Sequence, residues 1–536
     1  MRSRAVVVAG TLSAAVICGG WFLENGLRGN PRPLSGARLG GTGAALFDQV
    51  ADHVKRDYVD SLSQDSLYHA AVTGMLYELG DPHTAYLSPD RYMRLQETTN
   101  GSYIGMGVQI DIRGGWITIL APVPGSPAER AGLRTGDRLV EVEGQSTQGW
   151  TQDEASKALR GEPGSIVHLT VERPGVEARI PITVTRREIH VRAVPRAAII
   201  RPGVGYVHVT VFSDSTAREL KRAVDSLRSH GAKSLLLDLR NDPGGLLAQG
   251  VEVSQLFLSP GDTIVRLRGR TAGATQEFVD HDPSLWANMP LVVLVDRGTA
   301  SAAEIVAGAL QDHDRAVLVG TPTYGKGSAQ SIFHVDGGAL KLTTARWYTP
   351  SGRSISRPTA KPDDDDGSAG ADSATADTSH HARYQTSGGR IVYGGGGIMP
   401  DVIVGDTNVS EGQAGFDAAL GSKLTAFRDA LTAYALSLEG THALASPDFP
   451  VTPAMRDELF QRMRAKGIAL DRATYDAASH YVDQQLATEV TRYVFGIDGL
   501  FTRSLTHDSV MVVAADLASR ATSPADLLRL TATTHK

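Results

Sequence analysis

The sequence predicts a multidomain α/β protein with a helical lead-in, a small β-rich domain, an α/β core and a helical carboxyl-terminal extension. Length is the first observation behind this: 536 residues give room for three or four domains. A change of texture is the second. Between about Gly101 and Arg187 short alternating runs are separated by Gly and Pro, whereas from Gly203 amphipathic helices alternate with nearly continuous apolar strands. The third is the return to helical spacing after Val404, which lasts almost to the end. With 41% hydrophobic and 21% charged residues, the composition is that of a globular chain with real cores.

Taken in order, residues 1–29 open with Arg2 and Arg4 before an uncharged, mostly apolar run from Ala5 to Leu23. That is the pattern of an export signal, and the run is also long enough to span a bilayer. Cleaved signal and membrane anchor both stay open. In either case the positive start leaves the remainder on the extracytoplasmic side of the cell envelope, with inner-membrane association through this segment if it is retained. Residues 30–100 comprise a Gly/Pro/Arg-rich linker and then helical spacing: Leu46, Val50 and Val54, followed by Leu67, Ala71, Met75 and Leu79.

Residues 101–187 form the β-rich domain. Its strands are expected at Val108 to Ile112, Trp116 to Leu120, Arg138 to Val142 and Ile166 to Val171, with one short helix at Ala155 to Leu159. Residues 188–404 form the α/β core. Ser234 to Leu239 and Pro290 to Val295 read as strands buried on both faces, and Ser301 to Leu310 as a helix of small residues. Within it, the stretch 357–390 carries four consecutive aspartates (Asp363 to Asp366) amid Ser, Ala, Thr and Gly, and is expected to be a disordered insertion. Residues 405–536 show helical spacing with Phe460, Met463, Tyr481, Val482 and Leu486, but no constellation that would carry chemistry. This long tail makes a homodimer conceivable.

Composition excludes several functions. A net charge of −6 without a basic stripe argues against nucleic acid. The single cysteine, Cys18, allows no internal disulfide and leaves the folded region without a thiol nucleophile or a cysteine metal site. No metal or organic cofactor is implied.

Three loops, each after an expected strand of the α/β core, hold the candidate chemistry. The first is Leu237-Asp238-Leu239-Arg240-Asn241-Asp242-Pro243-Gly244-Gly245, whose paired glycines let backbone N–H groups approach a ligand. The second, Arg297 to Glu304, places Ser301 at a helix start, where free N–H groups favour negative charge. The third, Gly320 to Gly327, presents Lys326 between glycines without the spacing of a phosphate loop. A serine needs a neighbouring base, and a lysine can be that base only as a neutral amine, a state that burial favours. Each residue alone has a bland reading: Ser301 as a helix cap, Lys326 as a loop charge.

Together, and in this order, the loops resemble the carboxyl-terminal processing peptidases, or tail-specific proteases (peptidase family S41). The resemblance runs from about Phe47 to Val404 and includes Leu79-Gly80-Asp81-Pro82-His83-Thr84-Ala85-Tyr86 and Gly396-Gly397-Ile398-Met399-Pro400-Asp401. It implies a crotonase/ClpP-like α/β peptidase core working by a Ser–Lys dyad. Ser301 matches the family nucleophile, Lys326 its general base and Gln330 a glutamine that helps orient the lysine. The backbone N–H groups of Gly245 and Ala302 match the oxyanion hole. Ala303 and Asp242 depart from the commonest residues at their positions.

Within the β-rich domain, Tyr103-Ile104-Gly105-Met106-Gly107-Val108 and Gly125 to Asp137 resemble a PDZ domain. Gly105, Met106, Gly107 and Val108 would take a peptide's terminal carboxylate and apolar side chain, the peptide adding to the strand edge. Arg160 is a candidate for coupling the bound peptide to the active site. The expected partners are therefore polypeptides with apolar carboxyl-terminal tails, cleaved near those tails by a serine endopeptidase. Two rivals remain: a catalytically silent PDZ scaffold, and a Ser–His enzyme using His313 or His334.

Overall fold

The computed structural model describes residues 43–357, 381–405, 410–439, 441 and 443–532. The expected signal or anchor in 1–29 lies outside them. No described helix is long and apolar enough to cross a membrane.

The lead-in consists of helices Gly43–Asp57, Gln64–Tyr77 and Pro89–Asn100. Ser63 caps the second by accepting the Ser66 N–H, and Gly101 ends the third at φ 67°. The helical spacing is real, but the buried face it implies is not found. No residue of the first helix is buried among the described residues, and the second buries only Leu76.

The β-rich domain is an antiparallel sheet in the order Val108–Arg113, Trp116–Pro122, Arg138–Val142, Ile166–Glu172, Ile180–Thr185. Alternate residues, among them Ile117, Ile119, Leu139, Val167 and Val171, point into one core with Met106 and Leu159. The helix Gln152–Leu159 starts from a reciprocal cap between Thr151 and Glu154.

Two sheets build the α/β core. The first has six strands in the order Arg196–Arg201, Val204–His208, Ser234–Asp238, Leu291–Val295, Val317–Gly320, Val402–Ile403, all pairs parallel except the first. Every residue of Ser234–Asp238 and Leu291–Val295 is buried. One face of this sheet packs on helices Thr216–Ser229, Leu247–Gln255 and Ala302–Asp312 through Leu235, Leu237 and Val293. The opposite face, with Tyr206, Leu236, Val292 and Leu294, is covered by the helix Ser509–Arg520 of the carboxyl-terminal extension.

The second sheet was not legible in the sequence. It runs Ala85–Leu87, Gly338–Tyr348, Thr263–Gly269, Gln276–Val279, with Ser328–Val335 paired to Gly338–Tyr348. Its buried positions include Gln330, Ser331 and Lys341, so the apolar alternation that marks a strand is broken there.

The stretch read as a disordered insertion is partly ordered. Residues 358–380 lie outside the described residues, but Ala382–Gln385 forms an antiparallel pair with Ile391–Gly394. Ion pairs supply what its composition lacks. Arg390 bridges Asp314 and Asp401, and the buried Arg353 donates to Gln311, Asp312 and the Tyr393 carbonyl.

Helices from Glu411–Leu420 to Pro524–Ala532 make up the extension. Its first part forms a separate core around Phe416, Phe427, Tyr475, Val482 and Leu486. Met511 is 1% exposed against the parallel sheet. Met511→Ala should therefore destabilise the core by about 2–5 kcal/mol, read as a lowered urea midpoint. A neutral effect would mean that this helix is not part of the core.

Candidate active site

The turn after Leu291–Val295 is fixed by one carboxylate. Asp296 Oδ1 accepts the N–H groups of Asn241 (2.9 Å), Gly298 (2.9 Å) and Thr299 (3.1 Å). The Thr299 hydroxyl donates to the Leu239 carbonyl at 2.8 Å, tying this turn to the glycine loop. The chain then reaches Ser301 at φ 54°, ψ −116°, a conformation rare for a residue with a side chain and costing about 1–3 kcal/mol. Ser301 is 8% exposed, and Ala302 begins a helix whose residues are all buried. As the first helical residue, Ala302 has an N–H without a partner in the helix ladder.

Glu304, 0% exposed, organises the site. Its Oε2 accepts the backbone N–H of Ser301 and that of Lys326, both at 2.9 Å. Its Oε1 accepts the Gly325 N–H at 2.7 Å and the Thr323 hydroxyl at 2.5 Å. Burial pushes the Glu304 carboxyl above its ordinary value, and these donors act in the opposite direction. Sequence reasoning gave Glu304 no role, although a serine followed three residues later by glutamate is the signature of a helix start.

Lys326 is 3% exposed, and its carbonyl accepts the Trp347 indole N–H at 3.1 Å. The glycine loop closes against the serine. A Cβ on Gly244, at φ 87°, would lie 2.7 Å from the Ala302 nitrogen and 2.8 Å from Ser301 Cβ. A Cβ on Gly245 would strike the Phe212 carbonyl oxygen at 2.2 Å. The adjacent bridge to Phe212 uses the Leu246 N–H and the Gly244 carbonyl, leaving the Gly245 N–H outside it. Asp242 is fully buried. Its carbonyl accepts the Ala300 N–H at 2.9 Å and its Oδ1 the Gly244 N–H at 2.7 Å. Burial pushes this carboxyl well above its ordinary value, and the hydrogen bond from the Gly244 N–H acts in the opposite direction.

Gly245, Ser301 and Gln330 line one small pocket whose apolar walls are Leu247, Ile305, Ala329 and Trp347. The Gln330 amide donates to the Ser328 hydroxyl (2.9 Å) and the Thr343 hydroxyl (3.2 Å). The structure thus brings together Ser301, Ala302, Gly245, Gln330 and, through Glu304, the Lys326 backbone. His313 contacts the Thr263 carbonyl, and His334 packs edge-on against Tyr92. The histidine by the lysine is instead His83, whose Nδ1 is buried without a partner. Its loop reaches the second sheet through Thr84, which accepts the Thr343 N–H at 3.1 Å. Burial, joined by the Lys326 and Lys341 charges and opposed by Asp81, lowers the His83 pKa to about 4.

A second groove lies in the β-rich domain, between Met106, Gly107, Val108, Leu159 and Arg160. Gly105, at the end of Ser102–Gly105, does not line it; a Cβ there would lie 2.9 Å from the Tyr103 ring. Arg160 reaches out of the groove to Glu97 Oε2 at 2.5 Å, its guanidinium 5.4 Å from the Tyr103 ring centre. Among the described residues, no cluster of three or more His, Cys, Asp or Glu could hold a metal ion.

Residues 203–365 match the model of peptidase family S41, and residues 118–173 that of the PDZ domain. A carboxy-terminal processing protease, CtpA, of Bacillus subtilis is 36% identical over 331 residues, covering 61% of this chain and 70% of the relative. The carboxyl-terminal-processing protease of Synechocystis is 41% identical over 304 residues, covering 55% and 70%. The chain belongs to the carboxyl-terminal processing proteases of family S41. It is a serine-type peptidase with a PDZ domain. Among solved structures it is similar to a photosystem II D1 C-terminal processing protease, at 31% identity over 60% of this chain and 91% of that one, with a TM-score of 0.36.

The depressed His83 pKa makes the stability of this processing protease depend on pH. The unfolded state binds the extra proton below about pH 6.5 and the folded state only below about 4, so stability is lost as pH falls through that window. The wild type should lose up to about 3 kcal/mol from this group between pH 6.5 and 4. His83→Asn should flatten that part of the urea-midpoint profile, and an unchanged slope would refute the assignment.

Proposed function

We propose that this processing protease cleaves exported polypeptides near their carboxyl termini with a Ser301–Lys326 dyad. The observation that carries the reading is the single Glu304 oxygen shared by the Ser301 and Lys326 N–H groups, which fixes two loops relative to each other in a buried site. Lys326, as a neutral amine, takes the proton from the Ser301 hydroxyl as the oxygen attacks the scissile carbonyl. The N–H groups of Gly245 and Ala302 receive the negative charge on the carbonyl oxygen. Lys326 then returns the proton to the leaving amine, and water hydrolyses the acyl-enzyme by the same route in reverse. Gln330 orients the lysine as part of the hydrogen-bonded group with Ser328 and Thr343. The small apolar pocket beside Ser301 favours a small apolar side chain on the acyl side of the bond.

In this reading the PDZ groove takes the substrate's apolar tail. Gly105, Met106 and Gly107 supply the carboxylate loop, and Val108 the strand edge. Arg160 couples the two sites: a peptide carboxylate competing for it would release Glu97 on the helix Pro89–Asn100, which packs through Leu95 on Ala339 of the second sheet. The run Ala5 to Leu23 supports action outside the cytoplasm with inner-membrane association, and the helical tail supports a homodimer.

Wild type, Ser301→Ala and Lys326→Ala, incubated with an unfolded reporter ending in an apolar tail, test the dyad by mass spectrometry. Cleavage is expected from wild type alone, with kcat falling by at least about 10³-fold in either variant. Activity surviving in Lys326→Ala would refute the dyad, and tail binding without cleavage by wild type would favour the scaffold. For the coupling, Glu97→Gln should raise cleavage of a tail-less reporter several-fold and leave tailed substrate little changed. Equal effects on both substrates would overturn it.

A further inference from the structure

The glycine loop is fastened at its start as well as against the serine. Arg240 donates from Nε to Asp238 Oδ1 at 2.9 Å and from Nη2 to Asp238 Oδ2 at 2.7 Å. Its remaining terminal nitrogen, Nη1, donates to Asp508 Oδ2 at 2.6 Å, across 268 residues of sequence. Asp238 is buried at the end of its strand and also accepts the Tyr206 hydroxyl at 2.9 Å. Its burial opposes charge, yet the Arg240 guanidinium outweighs this and holds the carboxyl below its ordinary value. Asp508 is anchored too. Its Oδ1 accepts the N–H groups of Val510 (3.0 Å) and Met511 (3.1 Å), capping the helix that covers the outer face of the parallel sheet.

The bridge is more than a surface ion pair. The Arg240 and Asp508 side chains are only 18% and 25% exposed, and the guanidinium is forked between two carboxylates whose positions are set by a strand end and a helix start. The residue after Arg240, Asn241, has φ 56° without being glycine, and its N–H is taken by Asp296. Such a turn persists only where surrounding contacts over-determine it. Asp296 supplies one such contact directly, Asp508 holds the side chain of the preceding residue, Arg240, and four residues beyond Asn241 stands Gly245. An N–H aimed at a developing oxyanion loses much of its effect when displaced by about 1 Å.

We propose that Asp508, from the helical carboxyl-terminal extension, is a positioning residue for the oxyanion loop. Its hold on Arg240 sets the loop 239–245 so that the Gly245 N–H meets the tetrahedral intermediate. This rests on the assignment of Ser301 as nucleophile and Gly245 as oxyanion donor. Through this contact the extension is part of the catalytic apparatus.

The test uses the full chain and the variant Asp508→Ser. Serine keeps the helix cap, since it caps about as well as aspartate, but is too short to reach Arg240. Three quantities are read: kcat and KM on a peptide reporter, the affinity of a peptide boronic acid whose boron forms a tetrahedral adduct with the Ser301 oxygen, and the urea midpoint. Removing an oxyanion donor outright costs about 10²–10³-fold, so loosening one should lower kcat by about 10-fold or more. Boronate affinity should fall by a similar factor, with KM within about 2-fold, the midpoint near wild type, and recovery in Asp508→Glu. Wild-type kcat and boronate affinity in Asp508→Ser would overturn the proposal, as would a loss of kcat with boronate affinity intact. A fall in all quantities in step with the folded fraction would also overturn it, once Asp508→Asn, which keeps cap and shape, behaves the same way. Cleavage that persists in Ser301→Ala would instead refute the nucleophile itself, an outcome separable from any result with Asp508.

Discussion

A buried carboxylate that receives hydrogen bonds from both sides of a cleft cannot be moved without moving both sides, and Glu304 is such a group. Its two oxygens take the N–H groups of Ser301, Gly325 and Lys326 and the hydroxyl of Thr323. Three of those are backbone groups, so what is fixed is the path of the chain and not merely a side chain. The strained φ of Ser301 is sustainable on these terms, because the loop is held at Ser301 by Glu304 and at Thr299 by Asp296 and Leu239. Removing either partner of such an array leaves buried polar groups unsatisfied, which is more damaging than the net worth of the bonds.

Around that centre the two sheets divide the work. The parallel sheet delivers three loops from its carboxyl ends, and the antiparallel sheet closes the site from the side with Gln330, Trp347 and Ala329. The lead-in belongs to the second sheet: Ala85–Leu87 pairs with Gly338–Tyr348, and Thr84 accepts from Thr343, the residue opposite Gln330. His83 is therefore delivered to the lysine's surroundings by a segment more than two hundred residues away in sequence. Glu97, on the next helix, brings the PDZ groove into the same frame through Arg160.

What the sequence made legible follows from how each part is buried. Strands such as Leu291–Val295 are covered on both faces and so appear as unbroken apolar runs, and the turns after them carry glycines because backbones approach there. The antiparallel sheet is not legible because its buried positions include Lys341, Gln330 and Ser331, whose burial is compensated by partners that no local pattern reveals. Arg390 and Arg353 likewise order a hairpin within a stretch whose composition alone argues for disorder. Glu304 was within reach of a capping pattern, whereas Arg240 and Asp508 were not, since nothing in either neighbourhood points to the other.

The outer face of the parallel sheet has a further implication, for biosynthesis. Leu236, Val292 and Leu294 are covered by a helix that begins at Ser509. At ribosomal rates of about 5–20 residues per second, some ten seconds to a minute pass between the emergence of those strands and of their cover. During that interval the apolar residues of that face lack the helix that covers them. A chain whose synthesis stops early keeps the loop with Ser301 but lacks the surface on which its core is completed. The outer face of the sheet is thus closed only by residues made more than two hundred positions after Leu294.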